Sequence, residues 1–405
     1  MLKLNIMIKP FPFHSDLRDY FKKQDKTWSW FSEEKVKAEQ QEAFKTDLLK
    51  NSYRIDPETE SKVYEILNKA KDKLGIIVPI TIYQSQSTDN NAGVVFFENE
   101  AHIILSGTIL KLLNEDELLV LFGHELSHIL LFNLENGDFE ITNRIINTIA
   151  SDGNSELFYY ETARLYQLYT ELYCDLGALK VSGSLETTIQ TLVKLNTGLE
   201  KVSAESYLKQ ANEILERIEK GSDGETHPEN FIRAKSLEIF ENDNANFYSK
   251  VEKIISGKTD LHQLNLFNKK LVFDITKELI SIILKPKWTQ SEYCNALYKQ
   301  YFSNSDKKTD AFIDDAFKLK IENSKKNLKE YYAYVMLDFA LCDPDLKEAF
   351  IGHILDISEQ LSLEEEMKTI LKKELNLTEK TYKAFAQNCT TTLNTILESD
   401  LENTY

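Results

Sequence analysis

His124 and His128 stand four residues apart and enclose Glu125 in the segment Gly123-His124-Glu125-Leu126-Ser127-His128. On a helix, side chains at i and i+4 leave one face a single turn apart, so both imidazoles can take the same metal ion. Glu125 lies about a hundred degrees further round, too far to ligate beside them but within reach of a water on that ion as general base. The bland alternative is a pair of core histidines. The surrounding run LLVLFGHELSHILLF is otherwise apolar, however, and burying polar groups there without partners costs ~2–7 kcal/mol each, which a metal removes. A catalytic zinc takes three protein ligands and keeps one position open. Leu131 and Leu134 occupy the places where the longer pattern H-E-x-x-H-x-x-G-x-x-H needs Gly and His. Glu171 and Asp175, one turn apart in Glu171-Leu172-Tyr173-Cys174-Asp175, offer another solution. Glu171 would be the third ligand, and Asp175 would accept the outer ring N–H of a ligand histidine. Taken alone, the two acids also read as a solvated helix face, and Gly177 and Ala178 beyond them favour close helix packing.

These residues need helices to hold them. Asn114 is a good N-cap with Glu117 three residues on, the capping-box spacing, and the apolar run from Leu118 to Phe132 carries the histidines. A second helix is expected from about Ser155 to Lys180 and a third from about Leu185 to Lys220. Pro228 opens another after the loop signal Gly221-Ser222-Asp223-Gly224. Upstream, a helix is expected over Pro57 to Lys73. The β-branched stretch Gly75 to Tyr83 follows, then GVVFF and AHIIL around Glu98-Asn99-Glu100, a hairpin signal that predicts a small sheet. From about residue 246 the sequence is helical to the end, with breaks near Lys285-Pro286, Ser303 to Ser305, Cys342 to Pro344 and Asn376 to Thr378, and Ser362 with Glu365 has capping-box spacing.

The chain has 405 residues, 42% of them hydrophobic, enough for two packed domains, and only 13 glycines and 7 prolines, as a mainly helical protein would have. Its net charge of -17 works against nucleic acid as a partner, since a polyanion is bound by releasing its counterions onto basic surface. Lys269-Lys270 and Lys325-Lys326 are interspersed with acids and read as solvated faces. The four cysteines form no C-x-x-C pair and are expected to be reduced. The first residues carry Lys3 and Lys9 where a signal peptide needs an apolar core, and no later segment reads as ~18 to 20 continuous apolar residues. A cytoplasmic protein with no integral membrane segment is the expectation.

Four motifs together resemble the M48 metallopeptidases, the gluzincin family that includes the CAAX prenyl proteases and the HtpX-like enzymes. They are Asn91-Ala92, H-E-L-S-H, E-L-Y-C-D and T-H-P-E-N-F-I-R, spread over about residues 55 to 245. The resemblance implies a mainly α, α+β zincin-like domain holding one Zn2+. It also implies that His227 helps stabilise an oxyanion and that Arg233 organises the acidic cluster. Read without it, His227 is equally a surface histidine after a loop. Two departures stand out: the family's transmembrane helices are missing here, and Cys174 replaces the alanine usual before the motif's aspartate, a change read as packing.

The implied activity is a zinc metalloendopeptidase acting on a protein or peptide substrate through a zinc-activated water. Glu125 would move the proton, and the substrate would add as a strand along Asn91, Ala92, Gly93 and Val94. The competing reading is a catalytically silent zinc-containing scaffold whose helical region recruits a partner. Three segments are expected: a charged helical segment over 1–54, the metallopeptidase domain over 55–245 and a C-terminal helical bundle over 246–405. Within the bundle, 338–375 resembles the TerB tellurite-resistance-like domains, or is a packing or partner-binding module, and a regulatory partner could engage these helices.

Overall fold

The structure, a computed structural model, describes residues 8–33, 38–217, 221–302 and 311–402. It divides into two compact units, 1–257 and 258–405, each with its own core. The division falls after Gly257, because Phe247, Val251 and Ile255 of the helix Phe247–Ser256 are buried in the first core.

In the first unit, α1 (Pro12–Lys22), α2 (Asp25–Glu33) and α3 (Ala38–Asn51) precede β1 (Ser52–Arg54) and α4 (Ser61–Leu74). Then come β2 (Ile80–Ser85), β3 (Ala92–Phe96), β4 (Ala101–Leu105) and the short α5 (Ile109–Leu112). The histidine-bearing α6 (Glu115–Asn133) leads to α7 (Asp138–Ser151) and α8 (Leu157–Ser182). The unit ends with α9 (Leu185–Thr197), α10 (Ala204–Arg217), α11 (Asn230–Asn242) and α12 (Phe247–Ser256). Strands run in the order β1-β2-β4-β3. β3 and β4 form the expected antiparallel hairpin, with Ala92 opposite Leu105 and Phe96 opposite Ala101, while β2 lies parallel to β4. β3 is therefore an edge strand. This mainly helical unit with a small mixed sheet, followed by a helical unit, is the fold class expected.

Local chemistry sets the frame. The Asn114 side chain accepts from Glu117 N and the Glu117 carboxylate accepts from Asn114 N, both at 3.0 Å, closing the capping box that starts α6. α6 and α8 then cross with almost no space between their backbones, since Gly123 faces Ala178 and Val181 while Gly177 faces Ser127. Two expectations fail. The helix expected over Leu185 to Lys220 is two helices, because Gly198 takes a left-handed φ of 70° that caps α9, and Lys220 lies outside the described residues. Residues 1–54 are no separate segment: Leu17 and Phe21 of α1 are buried, Phe11 packs on Tyr169 of α8, and β1 joins the sheet. Glu115–Ser151 is, by length and composition alone, apolar enough to cross a membrane, and 61% of its apolar window is buried inside the protein, as in a core helix.

The second unit comprises α13 (Leu266–Ile283), α14 (Glu292–Tyr301), α15 (Asp315–Glu322), α16 (Lys326–Leu341), α17 (Lys347–Gln360), α18 (Glu364–Glu374) and α19 (Glu379–Glu402). Tyr332, Phe339, Phe350 and Met367 lie in its core. Ser362 is no helix cap: its φ is 54°, and α18 begins beyond it with no side-chain cap. The break expected at Ser303 to Ser305 falls outside the described residues. The cysteines are free, and Cys294 Sγ lies 3.1 Å from Cys342 Sγ.

Candidate metal centre

α6 and α8 bring His124, His128 and Glu171 together. Glu171 Oε2 is 3.2 Å from His124 Nε2, and Oε1 is 3.7 Å from His128 Nε2. Glu171 is 2% exposed; among the described residues its Oε2 makes no hydrogen bond and its Oε1 accepts a long one, 3.4 Å, from Gln167 Nε2. A buried, unpartnered carboxylate oxygen costs free energy, so something else must satisfy it. Four ligands at ~2.1 Å in a tetrahedron stand about 3.4 Å from one another. The measured separations bracket that value, so the donor set fits a small divalent cation better than it fits hydrogen bonds among themselves.

Asp175, one turn along α8, lies 3.1 Å from the other ring nitrogen of His124, Nδ1. It also receives two hydrogen bonds from Arg233 on α11, Nε to Oδ2 at 2.8 Å and Nη2 to Oδ1 at 2.6 Å. The bidentate guanidinium fixes the carboxylate, and the carboxylate fixes the ring. His227, on the loop before α11, places Nε2 3.4 Å from Glu171 Oε2 and holds Nδ1 2.9 Å from Thr226 Oγ1, with its side chain 53% exposed. Arg233 therefore meets the acidic pair, and His227 stands at the site's open side.

Burial sets the electrostatics. It alone would discharge His124, but the adjacent carboxylates of Asp175 and Glu171 outweigh it and raise this histidine to about 10. On His128 burial wins and lowers it to about 4. Glu171 is held far below the carboxylate range, its burial being overcome by His124, His128 and Arg233. Burial raises Glu125 to about 7, where a carboxylate can exchange protons near neutrality.

A cleft of about 800 Å³ opens over these residues. Asn91, Ala92, His124, Glu125, Asp175, His227 and Arg233 line it, with Thr188, Thr191 and Leu192 of α9 and Tyr207 and Gln210 of α10. Gly93 and Val94 lie further along β3 and are not among its lining residues. The loop before β3 is pinned: Asn90 Oδ1 accepts from Thr108 N at 2.7 Å, and the Ser106 hydroxyl donates to Asp89 O and Asn91 O. Gly107 must be glycine here, since a Cβ would meet Asn90 Oδ1 at 2.4 Å and its φ is 66°.

Sequence reasoning missed three contributors. Gln167 is one turn before Glu171, a spacing that could have revealed it. The α9 and α10 wall carries no motif. Cys174, read as packing, has its Sγ in one group with ring nitrogens of His124 and His128, all within 4.8 Å of one another.

Residues 57–136 match the family model described as Peptidase family M48. The match contains both histidines and Glu125, while Glu171, Asp175, His227 and Arg233 lie beyond it. It supports a peptidase, in a family of zinc metallopeptidases. No curated protein and no solved structure matches the chain.

Proposed function

We propose that this protein is a zinc-dependent endopeptidase, with His124, His128 and Glu171 as the residues that hold the ion. One observation supports the reading: three donors from two helices, a buried Glu171 and two largely covered histidines, converge at ligand-to-ligand spacing, and Glu171 Oε2 makes no hydrogen bond among the described residues. When bound, zinc supplies Lewis acidity, polarising a carbonyl and making water more acidic.

The remaining chemistry belongs to the side chains. Glu125, buried yet lining the cleft, takes a proton from the attacking water on its carboxylate and returns it to the nitrogen of the departing amine. A carboxylate raised to about 7 binds that proton more firmly than an ordinary glutamate and still releases it near neutrality. Asp175 holds His124 in one orientation, and Arg233 keeps Asp175 charged and in place. His227 reaches from the open side toward charge developing on the carbonyl oxygen. The free edge of β3 suits an extended peptide added as a strand, its first residues leading into the cleft at Asn91 and Ala92.

The test pairs metal analysis with proteolysis of casein by wild type and Glu125→Gln. The expected outcome is one zinc per chain in both, with cleavage by the variant reduced about 10²–10⁴-fold. Wild-type protein that takes up no zinc, or a variant that cleaves as well as wild type, would refute the proposal.

A further inference from the structure

We infer that Arg164 is a positioning residue for His227: from α8 it clamps the loop 221–229 and so fixes where that histidine stands over the site. This rests on the proposed function and deepens it.

Arg164 lies on α8 seven residues before Glu171, close to two full turns, so the two leave the same face of the helix. Its side chain is 10% exposed. Nε and Nη2 donate to the two oxygens of Glu161, each at 2.8 Å, which satisfies the charge and sets the plane of the guanidinium. What exceeds that need is Nη1, which donates to Ser222 O at 3.1 Å and to Gly224 O at 2.6 Å. One nitrogen thus holds two carbonyls of the loop. Tyr160, one turn earlier on α8, donates its hydroxyl to Glu225 Oε2 at 2.6 Å.

The loop is shaped to receive this clamp. Ser222 N donates to Ile255 O at 2.9 Å, the Ser222 hydroxyl donates to Glu229 Oε2 at 2.6 Å, and Asp223 N donates to Glu229 Oε1 at 2.9 Å. Glu229 stands at the N-cap of α11, yet its carboxylate is turned back onto the loop instead of capping the helix. At Gly224 the turn is so tight that a Cβ would meet His227 O at 2.0 Å.

His227 belongs to no helix, and its side chain is 53% exposed, so its place is the place of the loop. Because Arg164 and Glu171 share one helix, the clamp ties His227 Nε2, 3.4 Å from Glu171 Oε2, to the frame of the ligands themselves. A donor aimed at developing charge acts through alignment, and misplacement by about 1 Å costs about 10²-fold in rate. Losing the clamp therefore lowers kcat while zinc stays bound.

The test uses the full, zinc-loaded chain and a fluorogenic casein peptide. Arg164→Ala and His227→Ala should each lower kcat about 10- to 100-fold with little change in KM and one zinc per chain, and the double variant should match His227→Ala alone. In the metal-free chain, hydrogen exchange over 221–229 should quicken in Arg164→Ala and not in His227→Ala. Unchanged exchange, a wild-type kcat in Arg164→Ala, or losses that multiply in the double variant would each overturn the inference while the proposed function stands. A wild-type kcat in His227→Ala would remove the role being positioned and overturn it too. If the wild type cleaves nothing, the proposed function falls and the inference with it. Should Arg164→Ala fail to fold, Gly224→Ala displaces the loop at its turn without touching α8, and the same loss of kcat and the same match to His227→Ala in the double variant are expected.

Discussion

Gly177→Ala probes the crossing on which the whole site depends. An added Cβ would lie 1.7 Å from Ser127 Oγ and 2.6 Å from Ser127 Cβ, where carbon contacts normally need ~3.5–4.0 Å. Rotating the hydroxyl relieves only the first clash and sacrifices its 2.7 Å hydrogen bond to Gly123 O, worth about 1 kcal/mol. The second clash involves an atom fixed to the backbone, so α6 and α8 must part by about 1 Å at a cost of ~1–3 kcal/mol for overpacking. Alanine returns about 1 kcal/mol of helix propensity. The net loss is ~1–3 kcal/mol, or roughly 3–10 °C in Tm for a unit of this size. Because Glu171 rides on α8 and the histidines on α6, the same displacement spoils the ligand spacing, and misplacement on this scale costs about 10²-fold. Thermal unfolding and zinc affinity by chelator competition measure the two effects. The double variant Gly177→Ala with Ser127→Gly removes the clashing carbon and should restore zinc affinity. A Gly177→Ala protein as stable as wild type, with unchanged zinc affinity, would show that this contact does not position the site.

Asp175→Asn should weaken zinc binding by about 10–100-fold, the usual effect of losing a partner behind a ligand histidine. It should also destabilise the fold by ~3–5 kcal/mol because Arg233 is left buried without its counter-charge, measurable by urea unfolding. Chelation of zinc held at a hundredfold its Kd should remove about 2.7 kcal/mol of stability and lower Tm by several degrees, as calorimetry with and without chelator reads. In the metal-free protein, Glu125 is raised from 4.5 to about 7, so the stability it contributes is present below pH 4.5 and lost as pH rises to about 7. Glu125→Gln should therefore match wild type below pH 4.5 and exceed it by up to ~3 kcal/mol above pH 7, and a difference independent of pH would contradict the burial argument.

The parts of this structure that were legible in the sequence are those written in local spacing. The Asn114 to Glu117 cap, the i, i+4 histidines, the hairpin of β3 and β4 and the glutamate-aspartate turn on α8 each follow from a few neighbouring residues. What escaped depends on long-range packing. Nothing near His14 announces that it will lie 3.2 Å from Thr170, 156 positions away, and so seat α1 on α8. Spacing places Cys174 near the face of Glu171, but only the depth of the α6–α8 crossing decides whether its sulfur meets the histidines or slides past them. Ser362 misled for the converse reason: cap residues at the right interval do not cap when the backbone takes φ 54° and the helix starts later.

The two histidines also differ in a way their shared motif hides. Without a cation, the carboxylates of Glu171 and Asp175 are buried against a single guanidinium, and the deficit falls on whichever neighbour can take a proton. His124 touches both carboxylates and takes it; His128 approaches only Glu171, and at greater distance, so burial keeps it neutral. A proton on His124 therefore stands where a divalent ion's charge would, and the ion must displace it to reach Nε2. The fold thus places a positive charge at this point, with Asp175 and Arg233 setting how firmly His124 holds its proton.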